Sequence, residues 1–278
     1  MAAEYPRGRT GAAARAKALG RLARPEDAPA GDELLDLLDE VEREFRWGAV
    51  WTRRGIDSRT RATLALAMAV ATKCPSDALG MHVRMCVAAG LSKIEIGEIL
   101  LHVYTYAGAY AARSGFLAAK QVFDELEATR TAPRRRRARG PTTRTVAGRT
   151  AHGDRIRREL LGEGFIATEH PPPTAFVSMF NDLTHEFCFG NIWARPALEW
   201  RTRSQMTLAI AAATHQVGAI NRHVRIALRL GISRRRIGEI FLLAYPYAGA
   251  YPSFAAFGAA HQAFTEIDRE RRTRKGRR

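Results

Sequence analysis

Phe45-Arg-Trp-Gly-Ala-Val-Trp-Thr-Arg53, followed by Arg59-Thr-Arg61, returns 142 residues later as Phe187-Cys-Phe-Gly-Asn-Ile-Trp-Ala-Arg195 and Arg201-Thr-Arg203. Further on, His82-Val-Arg84 returns as His223-Val-Arg225, one position closer. Ile96-Gly-Glu-Ile-Leu-Leu-His-Val-Tyr-Thr-Tyr-Ala-Gly-Ala-Tyr110 returns as Ile237-Gly-Glu-Ile-Phe-Leu-Leu-Ala-Tyr-Pro-Tyr-Ala-Gly-Ala-Tyr251. The matches include Arg, His, Glu and Gly as well as apolar positions, so a shared helical pattern does not account for them. The chain carries one domain twice. A unit of about 80 residues is far longer than a solenoid repeat, so the duplication reads as paired domains rather than an extended array.

The net charge of +16 changes meaning once it is located. Residues 1–31, 129–158 and 268–278 hold 24 of the 44 Lys and Arg but 6 of the 28 Asp and Glu, leaving 20 bases and 22 acids elsewhere. The basic character belongs to the flanks and the linker, and the repeated domains are close to neutral. With 46% apolar residues the chain can build real cores. Cys74, Cys86 and Cys188 form neither an even framework nor a C-x-x-C pair, which argues against disulfide stapling and thiol redox chemistry. No long apolar run is present to span a membrane or direct export. A cytoplasmic protein with no membrane partner is the expectation.

The pattern predicts an all-α fold. Residues 1–31, rich in small and basic residues with Pro25 and Pro29, read as a disordered basic tail. The first domain then spans 32–128, an Arg-rich linker 129–170, the second domain 171–268, and a basic tail 269–278. Leu34, Leu35, Leu38, Val41 and Phe45 lie at helical spacing and predict an amphipathic helix packed on the first repeat. Asp57 or Ser58 caps a helix to about Lys73, and another runs from Asp77 to Ala89, stopped by Gly90. Ser92 and Glu95 form a capping box for the next, and Arg113–Leu126 closes the domain. The second copy follows through 201–215, 219–230, 233–247 and 253–267, with breaks or kinks expected at Pro246 and Pro252. A short helix at Asp154–Leu161 interrupts the linker, which also holds Arg134–Arg137 and precedes Pro171–Pro173.

His82 and its repeat His223 are the sharpest chemical candidates, because imidazole titrates near neutrality and can both give and take a proton. A hydrogen-bonded structural histidine is the competing reading, and repetition alone does not decide between them. Arg61, Arg84, Arg203 and Arg225, with Arg59 and Arg201, offer guanidinium groups for an anionic substrate. Glu98 and Glu239 could instead take some of these arginines into structural bridges. His102 shares a helix with Tyr104 and Tyr106, yet its counterpart is Leu243, so the set containing His102 is complete in the first copy alone. Trp47, Trp51, Tyr106 and Tyr110 could wall a pocket for a flat ligand, or serve as core.

At these residues the chain resembles the carboxymuconolactone decarboxylase family, related to the alkylhydroperoxidase D-like proteins. The resemblance rests on Trp47-Gly-x-x-Trp51-Thr-Arg, Arg59-Thr-Arg61, His82-Val-Arg84, and Glu98-Ile-Leu-Leu-His102 followed by Tyr106-Ala-Gly108, and covers both repeats. It implies two tandem helical domains forming a pseudo-dimer, assembly into a ring in which three chains rebuild a pseudo-hexamer, and decarboxylation of a carboxylated lactone without metal or organic cofactor. By that resemblance His82, His223 and His102 are the catalytic candidates. Arg84, Arg61, Trp51, Tyr106, Tyr110, Arg225 and Arg203 are the candidates for holding a small anionic organic substrate. The peroxidase branch of the resemblance carries C-x-x-C four and seven residues before the position of His82. Here those places hold Ala78 and Pro75, and Ala219 and Gln216 before His223, so a redox function lacks its resolving thiol.

The chain departs from the decarboxylase pattern at Gly108-Ala-Tyr110 and Gly249-Ala-Tyr251, which points to a substrate other than the ordinary catabolic lactone. The leading reading is a cofactor-independent decarboxylase or related lyase acting on a carboxylated lactone or keto acid, in aromatic catabolism or secondary metabolism. The alternative is a non-catalytic helical scaffold whose Arg-rich segments bind a polyanion, with nucleic acid not the expected partner.

Overall fold

The computed structural model describes residues 7–24, 32–128, 145–163 and 174–275. Pro25 and Pro29, Arg134–Arg137, Pro171–Pro173 and the last three residues lie outside that set. Among the described residues there are twelve α-helices and no strand. The first half contains α1 (Gly8–Leu19), α2 (Glu33–Glu42), the π-helical stretch π1 (Arg43–Trp51), α3 (Ser58–Ala71), α4 (Ser76–Ala88), α5 (Lys93–Ala107) and α6 (Ala109–Ala128). The second repeats the order as α7 (Val146–Leu161), α8 (Ala175–Leu183), π2 (Thr184–Trp193), α9 (Trp200–Ala213), α10 (Val217–Arg229), α11 (Arg234–Ala248) and α12 (Ala250–Lys275).

Local chemistry sets many of the boundaries. Asp57 caps α3 by accepting the Thr60 amide at 2.8 Å. Ser92 and Glu95 close a reciprocal capping box that satisfies two otherwise orphaned amides at the start of α5. Gly90 and Gly231, at φ of +83° and +74°, follow the ends of α4 and α10 in a conformation that costs other residues a steric penalty. Pro246 does not break its helix. It sits in the last turn of α11, three residues before Gly249 ends the helix, so the one bond lost is that to the Leu242 carbonyl. Pro252 lies in the first turn of α12, where its missing N–H is one that no helical carbonyl requires.

The two copies share one core. Residues 62–71 of α3 and 203–213 of α9 are buried throughout, as befits central helices, with Arg203 the one charged side chain in the two stretches. α3 packs on α9 and α11, and α9 packs on α5 as well as on its own repeat. Alanine at 62, 65, 67, 69 and 71 keeps the α3 surface shallow enough for these close crossings. A single hydrophobic cluster therefore includes Leu64, Leu66 and Met68 of one copy with Met206, Leu208 and Ile210 of the other.

The segment expected to be a disordered tail contains a docked helix. α1 crosses π1 so closely that a Cβ added to Gly11 would fall 1.8 Å from the Arg43 carbonyl oxygen. The crossing recurs in the second half, where a Cβ on Gly153 would fall 1.8 Å from the His185 carbonyl oxygen. Both pairs are related by 142 residues, so the duplication extends upstream of residue 32 and into the linker. Backbone approach through glycine docks both helices, and α7 adds an apolar face, Ile156, Leu160 and Leu161, packed with Cys188, Phe189 and Trp193. Arg15 also pairs with Asp39, and Arg149 with Glu186, so part of the flanking basic charge is neutralised within the fold.

The helix predicted from Leu35, Leu38 and Val41 forms as α2, but its apolar side is not covered by the first repeat. Leu38 is 58% exposed, and its counterpart Phe180 on α8 is 72% exposed. α12 continues through Lys275, so the basic segment expected from residue 269 is helical for most of its length.

Candidate functional site

The two His-Val-Arg motifs lie in two separate sites, and each site draws side chains from both repeats. In the first, α4 supplies His82, π1 supplies Arg46, Trp47 and Trp51, and α11 of the other repeat supplies Tyr247. The π conformation brings Trp47 and Trp51 onto one face, with ring centroids 4.8 Å apart. The Arg46 guanidinium lies 4.9 Å from the Trp47 ring centre and 5.4 Å from that of Tyr247, a cation held between two aromatic faces. Its Nη2 is 3.4 Å from His82 Nε2, and Nη1 donates to Glu42 at 2.9 Å. The His82 ring centre lies 5.5 Å from that of Tyr247.

Burial holds the pKa of His82 well below 6.5, and the positive charge of Arg46 lowers it further. His82 is therefore neutral at pH 7. Because guanidinium can only donate, Nε2 of His82 must be the acceptor and the ring proton sits on Nδ1. Among the described residues that Nδ1 and Trp47 Nε1 have no hydrogen-bond partner, whereas the Tyr247 hydroxyl is engaged by Arg46 and Trp51.

In the second site, α10 supplies His223, π2 supplies Cys188, Phe189 and Trp193, and α5 of the first repeat supplies His102 and Tyr106. The Tyr106 ring centre is 6.1 Å from that of His223 and 4.9 Å from that of His102, which lies 5.6 Å from Trp193. His102 thus belongs with His223, on the opposite repeat, and Leu243 is its counterpart on α11 beside Tyr247. This corrects the expectation that the first copy alone holds the complete set. The repeats cross over, and the set is completed by α5 of one and α10 of the other.

Polar groups in this second site are largely satisfied internally. Trp193 Nε1 donates to the Tyr106 hydroxyl at 2.9 Å, and that hydroxyl lies 3.8 Å from Cys188 Sγ. Burial pushes the Cys188 thiol up to about 12, so no thiolate is present near neutrality. Thr207 donates its hydroxyl proton to the Arg203 carbonyl, which leaves its oxygen to accept from His102 Nε2 at 2.9 Å. His102 therefore carries its proton on Nε2 and presents a bare Nδ1. Burial lowers its pKa well below 6.5, with the Arg203 charge adding to the effect, and burial lowers that of His223 to about 4.

The arginine candidates fall into structural settings. Arg203 is fully buried and donates to Glu98 at 3.0 Å and to the Leu198 and Arg195 carbonyls, tying the two repeats together. Arg195 reaches the other Glu98 oxygen at 2.6 Å. The pseudo-equivalent bridge joins Arg53 to Glu239 through two bonds of 2.6 and 2.8 Å. Arg61 donates to the Arg53 and Ile56 carbonyls and lies 5.9 Å from the Trp51 ring centre. Arg225 pairs with Glu266 and Glu270 of α12. Arg84 is buried two residues beyond His82, a spacing that puts it on a different face of α4. Arg59 and Arg201 cap carbonyls of Gly90 and Leu230. Tyr110 and Tyr251 are 87% and 85% exposed and take part in no ring contact with either histidine.

Trp51 and Tyr106 are thus each beside a histidine, in different sites. Arg46 and Tyr247 were not singled out from the sequence. A signal for Arg46 was present, since the repeat puts Cys188 at its position, but nothing in the spacing places residue 46 against residue 82.

A model of the carboxymuconolactone decarboxylase family matches residues 39–121 and again 180–262. The chain is similar to 4-carboxymuconolactone decarboxylase of Acinetobacter baylyi, 38% identical over 119 residues, covering 43% of this chain and 89% of that protein. It is also similar to nitrosuccinic acid decarboxylase of Metarhizium robertsii, 29% identical over 87 residues, covering 31% of this chain and 60% of that protein. Two family domains folded around a common core, with the matched segments carrying both histidine sites, place this chain in the carboxymuconolactone decarboxylase family.

Proposed function

We propose that the protein is a cofactor-independent decarboxylase, or a closely related carbon–carbon lyase, acting on a small carboxylated lactone or keto acid. The observation that carries this reading is the contact between Arg46 and His82, a cation and a buried neutral imidazole 3.4 Å apart, beside the unpartnered Trp47 indole N–H. Decarboxylation breaks the bond between the carboxylate and its neighbouring carbon. The electron pair moves into a conjugated carbonyl, carbon dioxide leaves, and a proton must then be placed on carbon. Arg46 holds the anion. Its negative charge offsets the field of Arg46 at His82, so the imidazole gains affinity for the proton it delivers. The Trp47 donor is available to the developing enolate oxygen, where stabilisation accelerates the reaction rather than only tightening binding.

The two relatives' names support a substrate class rather than one compound, since each names a carboxylic acid. The test is carbon dioxide release from 4-carboxymuconolactone and from nitrosuccinic acid by the wild type and by His82→Gln. Loss of a positioned proton carrier lowers turnover by roughly 10²- to 10⁴-fold. A His82→Gln protein that folds normally and releases carbon dioxide at the wild-type rate removes the reading.

Self-association is part of the same proposal. The exposed apolar residues Leu37, Leu38 and Val41 recur at 142-residue spacing as Met179, Phe180 and Leu183, so each chain presents two pseudo-equivalent patches. A ring of three chains would cover both, and light scattering on the purified protein measures the mass directly.

A further inference from the structure

The two sites differ most at the position occupied by Arg46 in one and Cys188 in the other. In the His82 site two buried donors, His82 Nδ1–H and Trp47 Nε1–H, have no partner among the described residues, and they lie beside the Arg46 guanidinium; the Tyr247 hydroxyl is engaged by Arg46 and Trp51. His82 is 3% exposed and Trp47 0%, so water has little access to these groups. A buried donor without an acceptor costs about 1–3 kcal/mol, and two beside a guanidinium favour a ligand that brings acceptor lone pairs and a negative charge.

The His223 site differs at its cation. Cys188 stands in the place of Arg46, and the His102 tautomer presents a bare acceptor nitrogen, while the Trp193–Tyr106 contact mirrors that of Trp51 with Tyr247 and the Arg222 charge reaches His223. A carboxylate there would meet a lone pair and an un-ionised thiol. Removing a carboxylate from water without a partner costs several kcal/mol, enough to exclude it.

We propose that each chain has one carboxylate-binding site, the His82 site, and that Arg46 against Cys188 is the difference that makes the two sites unequal. The inference rests on the site invoked for the proposed function, but it concerns binding and stoichiometry and does not require turnover.

Benzoate and benzamide are suitable probes, being planar, similar in shape and different in charge. Calorimetric titration of the intact chain is expected to give one benzoate per chain, with benzamide at least tenfold weaker. Arg46→Met should weaken benzoate at least thirtyfold, and Cys188→Arg should add a second equivalent. Should the added arginine prevent folding, Arg46→Cys, which makes both positions alike, must abolish benzoate binding in a protein that keeps its helical content and a cooperative melt. No benzoate binding to the wild type, two equivalents per wild-type chain, or unchanged affinity in folded Arg46→Met or Arg46→Cys would overturn the inference. A chain that binds one benzoate yet releases no carbon dioxide from any carboxylated substrate retains this inference and loses the proposed function.

Discussion

At the scale of single residues, the Glu98 and Glu239 bridges have the same ancestry and different burial. Glu98 is 1% exposed and its partner Arg203 is 0% exposed, whereas Arg53, the partner of Glu239, keeps 43% of its side chain in solvent. Removing one member of a buried pair strands the other charge, so Glu98→Gln is expected to cost about 3–5 kcal/mol in urea unfolding. Glu239→Gln should cost no more than about 1 kcal/mol, because water can take over from the carboxylate. The histidines give a further prediction. Below about 6.5 an unfolded imidazole binds a proton that the buried one does not, so stability is complete above that pH and falls as pH drops toward the folded value. For His223, with a folded value of about 4, the loss is complete near pH 4 and amounts to about 3 kcal/mol. His82 and His102 act in the same direction. A denaturant midpoint that stays flat from pH 7 to pH 4.5 would contradict this account, and His223→Gln should flatten part of the slope.

At the scale of elements, the helices that sequence patterning missed, in α1, or caught only in part, in α7, are the ones that frame the sites. α1 and α7 press against the π-helical stretches that carry Arg46, Trp47 and Trp51, or Cys188, Phe189 and Trp193. The small and basic residues of α1 read as a tail because its contact depends on how near two backbones come, a property that apolar periodicity does not report, whereas the second half of α7 carries an amphipathic pattern that was legible. Gly11→Ala must move a helix off the Arg43 carbonyl, and overpacking of this kind costs about 1–3 kcal/mol. Urea unfolding followed by tryptophan fluorescence measures it, since Trp47 and Trp51 lie on the element that α1 supports. Gly153→Ala should have a similar cost, reported by Trp193. By contrast the Asp57 cap and the Ser92–Glu95 box were legible from residue order alone, because their hydrogen bonds close within four residues.

At the scale of the whole molecule, the repeats are interlocked rather than set side by side. α3 and α9 bury each other, and every aromatic-lined histidine site needs a helix from the other half. Cleaving the chain between residues 129 and 144 should leave both fragments co-eluting on size exclusion under native conditions, because the shared core is untouched. Residues 1–128 expressed alone would expose the apolar face of α3 that α9 covers, and should self-associate or unfold rather than behave as a folded monomer. A folded, monomeric first half, detected by light scattering and a cooperative melt, would show that the common core is dispensable.

The duplication, the helical class, most helix ends and the identities of His82, His223, His102, Trp51 and Tyr106 as chemically notable residues could be read from the sequence itself. Those properties are local, or are carried by the comparison of one stretch of chain with another. Which histidine stands beside which aromatic was decided by the tertiary structure. Bringing Arg46 to His82 depends on how π1 meets α4 within the first repeat, and pairing His102 with His223 and sending Tyr247 across to the first repeat depend on two halves packing through α3 and α9. Contacts between residues more than a hundred positions apart are selected by the shared core, and no spacing along the chain encodes them.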